Sequence, residues 1–133
     1  GLAADTRYYA CDVNNEQMAF LQPALPLLGV TGEAFVYDLL QDVPQQPVDV
    51  AFLFKTIPCL EQVDKQIGAR LLTALHASTI FVSFPAQSLG GRHKGMVDAY
   101  SSHFADLLDT ITQNRWQVES FTFATELVFR LMR

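Results

Sequence analysis

With 133 residues, a formal net charge of -5 at pH 7 and half of its residues apolar, the chain has the composition of one small ordered domain and not of a disordered segment. A chain of this size buries roughly two-thirds of the surface its unfolded form exposes, enough for a hydrophobic core. The acidic balance excludes RNA binding by bulk charge, because phosphate binding draws on clustered Lys and Arg, so any polyanion contact must be local or supplied by another segment.

No apolar run approaches the ~20 residues that span a bilayer, and Gly1 to Tyr9 lacks the basic-then-apolar layout of a signal peptide, which makes the cytosol the expected compartment and a membrane partner unexpected. Cys11 and Cys59 lie in apolar runs far apart, without paired spacing or a nearby His set. They read as reduced, buried thiols, and no metal is expected.

Arg7 to Val13 (RYYACDV) is aromatic and β-branched enough for a strand, with Asp12 at its end. Asn14 and Asn15 suit a helix cap, Met18, Leu21, Leu25 and Leu28 follow at helical spacing, and Gly29 is a stop. Pro23 and Pro26 each remove an amide donor, which predicts a kink or an early end near Gln22. Glu33 to Tyr37 reads as a second strand closing in Asp38, and Leu39 to Pro47 as a polar connection. Val48 to Phe54 (VDVAFLF) is nearly continuous in apolar residues, which predicts a strand covered on both faces in the middle of a sheet.

Val63, Ile67, Leu71, Leu72 and Leu75 form one helical stripe, and Ala77 to Phe84 reads as another buried strand. Gln87 to Gly95 is a polar, glycine-rich loop, followed by a helix over Met96 to Ile111 with Val97, Tyr100, Phe104, Leu107, Leu108 and Ile111 on its apolar side. Gln117 to Phe123 and Glu126 to Met132 are two strands able to pair antiparallel. The order predicts one open α/β sheet, mostly parallel with an antiparallel carboxy-terminal pair, forming a single domain over residues 1–133. Ligands of such sheets sit at the carboxyl ends of strands, so Asp12, Asp38, Lys55 and Pro85 are expected to converge on one rim.

Each of these residues has two readings. Asp12, one βα unit into a nucleotide-binding sheet, suits the two ribose hydroxyls, yet it equally suits capping the next helix. Asp38 either accepts from an adenine amino group or closes a turn. Lys55 terminates an apolar strand just before Thr56, Ile57, Pro58 and Cys59, as exits lining a reaction site do; alone it reads as a lysine snorkelling at the rim. Glu61 and Gln62 suit the cap of the following helix. The Ser88 to Lys94 loop lacks the Lys-Ser/Thr ending of a phosphate-binding P-loop, which excludes a nucleoside triphosphatase. Its Arg92, His93 and Lys94 suit a polyanion, against the alternative of a solvated loop. His76 and His103 have no spaced partners and read as structural.

YYACDVN, DVAFLFKTIPCLEQ, VSFPAQSLGGRHKGM and TELVFRLMR, in this order over essentially the whole chain, closely resemble the aminoglycoside-resistance 16S rRNA methyltransferases of the FmrO, or Arm/Rmt, type. The resemblance implies a Rossmann-like enzyme moving a methyl group from S-adenosyl-L-methionine to N7 of a guanosine in the decoding site of the 30S subunit's 16S rRNA, so that aminoglycosides fail. It implies that Asp12 holds the ribose, Val13 packs on the adenine, and Asp38 with Leu39 meets the adenine edge. Lys55 and the segment through Gln62 would frame the methionine end and the target base. Arg92, His93, Lys94 and Met96 would meet the RNA. Guanine N7 presents an in-plane lone pair, so attack needs no deprotonation and no general base is expected; positioning and electrostatics supply the rate.

Members of the family also carry a helical RNA-binding amino-terminal domain and a glycine-rich loop after the first strand, which this sequence lacks. The expectation is a piece that begins just past that loop, binds cofactor weakly and modifies ribosomes poorly. Two other readings stay open: a methyltransferase-like domain acting on a small molecule, and an inactive α/β interaction module that self-associates through an exposed sheet edge.

Overall fold

A computed structural model describes residues 3–87, 95–111 and 116–133. The chain divides into two compact units, Gly1–Asp42 and Val43–Arg133.

The first unit is a βαβ arrangement. Strand β1 (Arg7–Asp12) and strand β2 (Thr31–Val36) pair in parallel from Arg7 opposite Thr31 to Asp12 opposite Val36, and helix α1 (Asn15–Leu27) joins them. The expected cap is present: the Asn14 side chain accepts the Gln17 amide at 3.0 Å. The expected end near Gln22 is not, because α1 runs through both prolines, which lie exposed, and only Met18 and Leu25 are buried. What ends the helix is Gly29 at φ 70°: its amide bonds the Pro26 carbonyl and the Val30 amide returns to the Leu25 carbonyl, a Schellman closure that satisfies the last carbonyls. Strand β2 starts two residues before Glu33, and Gly32 there lies against the Tyr8 carbonyl so closely that no Cβ fits.

The second unit is a four-stranded sheet with helices on one face. Strands β3 (Val48–Phe54) and β4 (Ala77–Pro85) are parallel, strand β6 (Glu126–Met132) is antiparallel to β4, and strand β5 (Gln117–Thr122) is antiparallel to β6, giving the order β3-β4-β6-β5. The antiparallel carboxy-terminal pair is present, with β6 on the inside of it. Helices α2 (Thr56–Leu60), α3 (Ile67–Ala74) and α4 (Met96–Thr110) complete the unit. Its core joins Ile57, Ile67, Leu71 and Leu72 to Ile80, Val82 and Phe84 of β4 and Leu127 and Leu131 of β6. Phe104 of α4 stacks on Phe129 at 4.4 Å between ring centres, with Phe84 edge-on to both. Rings of this size contribute about 1.5–3 kcal/mol each on full burial, so this cluster fixes α4 to the sheet.

Three expectations are corrected in this unit. Strand β3 stands at the end of its four-stranded sheet instead of the middle, and only Leu53 is buried, while Val50, Phe52 and Phe54 are 43%, 57% and 57% exposed on the side away from the helices. A continuous apolar run therefore does not mean two covered faces: the helices of this unit cover one. Helix α3 begins at Ile67 and not near Val63, which is exposed, because the Asp64 carboxylate accepts the Gln66 amide at 2.9 Å and its carbonyl accepts the Ile67 amide, so the turn is satisfied locally and the helix starts after it. Cys59, expected buried, is exposed, since Ile57 is the residue of the short helix α2 that enters the core; both cysteines are free thiols.

Candidate functional site

In the first unit, the carboxyl ends of β1 and β2 bring Asp12 and Asp38 to one edge, because the strands are parallel neighbours and the Tyr37 amide bonds the Asp12 carbonyl at 3.0 Å, one step beyond the ladder. Both aspartates make the same local turn: Asp12 Oδ1 accepts the Asn14 amide at 2.8 Å and Asp38 Oδ1 accepts the Leu40 amide at 3.0 Å. Turn closure therefore engages one oxygen of each carboxylate. The Oδ2 of Asp12 has no partner among the described residues. Val13, the next residue, is 64% exposed, a bare apolar side chain at a strand end, and Leu39 is half-buried.

Two neighbouring groups are held uncharged. Burial pushes the Cys11 thiol above its usual range, and the Asp12 charge adds to this. Desolvation and the hydrogen bond to Asp42, 3.2 Å from the hydroxyl, likewise raise the Tyr37 phenol. Among the described residues of this unit, this edge thus offers carboxylate oxygens and no cation, a setting suited to hydroxyl and amino donors.

In the second unit, Lys55 follows β3 in the left-handed conformation (φ 54°, ψ 15°), unlike any other non-glycine residue described. Such a conformation costs about 1–3 kcal/mol and persists only where the surroundings impose it. Here Ser83 imposes it: buried in β4 opposite Phe54, it accepts the Lys55 amide on its carbonyl at 3.1 Å and on Oγ at 3.0 Å. The strained residue starts helix α2, where Pro58 sits in the first turn and loses no bond, since that amide would be an orphan anyway. The Lys55 ammonium lies 2.7 Å from Glu126 Oε1. Glu126 opens β6 opposite Pro85, so Lys55, Pro85 and Glu126 do meet at one end of this sheet.

Gln62 is exposed in the turn after α2, and neither it nor Glu61 caps α3. Glu61 instead meets His103 of α4, its carboxylate oxygens 2.8 and 3.0 Å from Nε2, tying the end of α2 to α4. His76 meets the Gln45 side chain at 3.2 Å. Met96, half-buried, is the first residue of α4, after Gly95 at φ 92°. Arg92, His93 and Lys94 lie outside the described residues. Among the described residues no group of His, Cys, Asp and Glu is placed to hold a metal, and no helix is long and apolar enough to cross a membrane.

Ser83 and Glu126 escaped the sequence reading. A serine set between apolar neighbours, as Ser83 is between Val82 and Phe84, is a visible signal of a buried hydrogen bond. Glu126 carries none, because only the β4–β6 pairing sets it beside Lys55.

The sequence model of the family described as "Ribosomal RNA methyltransferase (FmrO)" matches residues 1–130. Over its whole length the chain is 39% identical to a protein of Frankia casuarinae and 33% identical to one of Micromonospora echinospora, each named a 16S rRNA (guanine(1405)-N(7))-methyltransferase. It spans about half the length of these curated relatives, 46% and 47%. Among solved structures, that of the 16S rRNA methyltransferase RmtF in complex with S-adenosyl-L-homocysteine superposes with a TM-score of 0.78 at 31% identity, over 94% of this chain and 47% of that one. That superposition puts the chain in the Rossmann-like methyltransferase fold, its described strands combining parallel pairs with an antiparallel carboxy-terminal portion. With that fold and that match, the chain belongs to the FmrO family of ribosomal RNA methyltransferases.

Proposed function

We propose that residues 1–133 are part of the methyltransferase domain of a cytoplasmic enzyme that methylates N7 of a guanosine in the decoding site of 16S rRNA within the 30S subunit, giving aminoglycoside resistance. The observation that carries this is family membership joined to two aspartates at the ends of neighbouring parallel strands, one with a carboxylate oxygen that has no partner among the described residues. S-adenosyl-L-methionine supplies an electrophilic methyl group when bound. Asp12 accepts from the ribose hydroxyls with the oxygen its turn leaves over, and Val13 offers its exposed side chain to the flat adenine face. Asp38 and Leu39 take the adenine edge. Lys55 and Gln62 act as positioning residues for the methionine end and the target base. Arg92, His93, Lys94 and Met96 contact the RNA. No residue acts as general base, since N7 carries its lone pair free.

Calorimetric titration of the chain with S-adenosylhomocysteine tests this reading. Binding is expected, weakened about ten-fold or more by Asp12→Ala, the size expected for hydrogen bonds to a charged acceptor. Binding indifferent to Asp12→Ala would remove the assignment of the ribose site. Methyl transfer to purified 30S subunits, compared with a panel of small molecules, separates the RNA substrate from the alternative.

A second reading is favoured by β3, an edge of the four-stranded sheet that exposes Val50, Phe52 and Phe54. Self-association through this strand would appear in light scattering as a mass that rises with concentration, and Phe52→Lys would abolish it.

A further inference from the structure

Glu126 lies within TELVFRLMR but has no role assigned from the sequence, yet it makes the ion pair of Lys55 and leaves one oxygen of its carboxylate without a partner among the described residues. Oε1 lies 2.7 Å from the Lys55 ammonium, whereas Oε2 is buried with no hydrogen-bond partner among the described residues. Buried acceptors are nearly always paired, so an unpaired carboxylate oxygen calls for an explanation. The lysine is equally constrained, its backbone held in the left-handed region by Ser83 so that the side chain leaves the end of β3 across β4 toward β6. Two costly arrangements, a strained lysine and a half-satisfied carboxylate, therefore meet at one point.

The proposed reaction explains why such a pair is useful. The guanine N7 lone pair forms the new N–C bond as the C–S bond breaks with its electron pair left on sulfur, so one unit of positive charge leaves a sulfonium and settles on the purine. The reacting centre stays cationic throughout. A lone lysine beside it would repel reactant and product alike, whereas a lysine neutralised by a carboxylate still donates hydrogen bonds without that repulsion.

We propose that Glu126 is a positioning residue for Lys55 and supplies the counter-charge for the cationic reacting centre. The proposal rests on the methyltransferase reading for its second half only; the Lys55–Glu126 coupling stands on the geometry.

The test has two arms on the 133-residue chain. In the first, lysines are labelled by reductive methylation and peptide mapping compares Lys55 with Lys65. Glu126→Gln is expected to raise Lys55 labelling about three-fold relative to Lys65, the scale of a part-exposed ion pair, with Glu126→Asp between the two. An unchanged ratio overturns the positioning role. In the second, calorimetry compares sinefungin, which carries an ammonium where the sulfonium would be, with the neutral S-adenosylhomocysteine. Glu126→Gln is expected to lower the sinefungin preference about ten-fold and Glu126→Asp to restore part of it, because only a nearby charge discriminates the two ligands. Loss of both affinities in proportion, or of neither, overturns the counter-charge. A wild-type chain that binds neither ligand overturns the counter-charge in this chain and leaves its family membership standing, while the labelling arm still decides the coupling.

Discussion

The Lys55 amide donates to both oxygens of Ser83, 3.1 Å from the carbonyl and 3.0 Å from Oγ, and this double acceptor holds Lys55 in a left-handed turn. Since a Cβ costs roughly 1–2 kcal/mol in that region, Lys55→Gly is expected to be more stable than Lys55→Ala by about that amount, the reverse of the usual order inside secondary structure. Urea unfolding of the two variants measures it. An alanine variant as stable as the glycine one would show that no strain is stored at this turn.

Two glycines of the first unit are expected to tolerate alanine differently. At Gly29 there is open space, so Gly29→Ala meets only the left-handed backbone penalty, about 1–2 kcal/mol. At Gly32 the new Cβ would strike the Tyr8 carbonyl, a backbone atom that cannot swing away, and the expected loss is about 3 kcal/mol or more. Hydrogen exchange at the β1 and β2 amides reads the difference, with protection lost in Gly32→Ala and largely kept in Gly29→Ala.

The Cys11 thiol is raised above its usual range first by burial and then by the Asp12 charge, so less of it is thiolate at a given pH. Iodoacetamide at about pH 8 is therefore expected to modify the exposed Cys59 well before Cys11. Asp12→Asn removes one of the two causes and is expected to speed Cys11 alkylation about two- to five-fold. A rate that falls or stays fixed would contradict the charge contribution.

The His103–Glu61 contact joins α4 to the end of α2 at 2.8 Å with the histidine side chain 47% exposed. Solvent screening limits such a pair, and a double-mutant cycle of His103→Ala with Glu61→Ala is expected to give a coupling of about 0.5–1 kcal/mol in urea unfolding. Strict additivity would show that the contact carries no stability.

Local chemistry made much of the molecule legible. Asn14 capped α1 and Gly29 closed it as their side-chain and backbone preferences require. The helix after Gly95 follows its sequence period, and the final two strands pair antiparallel as expected. Where the reading failed, a longer-range term decided. Pro23 and Pro26 did not end α1, because the helix buries Met18 and Leu25 on one side and leaves both prolines exposed on the other. Val63 stayed outside α3 because Asp64 satisfied the turn before it, and VDVAFLF became an edge strand because helices covered one face only.

Within the candidate site the same division holds. Asp12 and Asp38 are found at strand ends by pattern alone, since a strand's length and its terminating carboxylate are local properties. Lys55 could be named from its position after an apolar run. Its strained backbone, its clamp on Ser83 and its pairing with Glu126, 71 positions further along, could not, because the order β3-β4-β6 is set by strand pairing between distant segments. Sequence by itself determined every element but the short helix α2, together with the family resemblance and the chemical types at the strand ends, all of which depend on neighbours a few residues apart. Only the tertiary structure decided which carboxylate faces the lysine and which apolar faces remain open, because charge pairing and burial depend on distance in space.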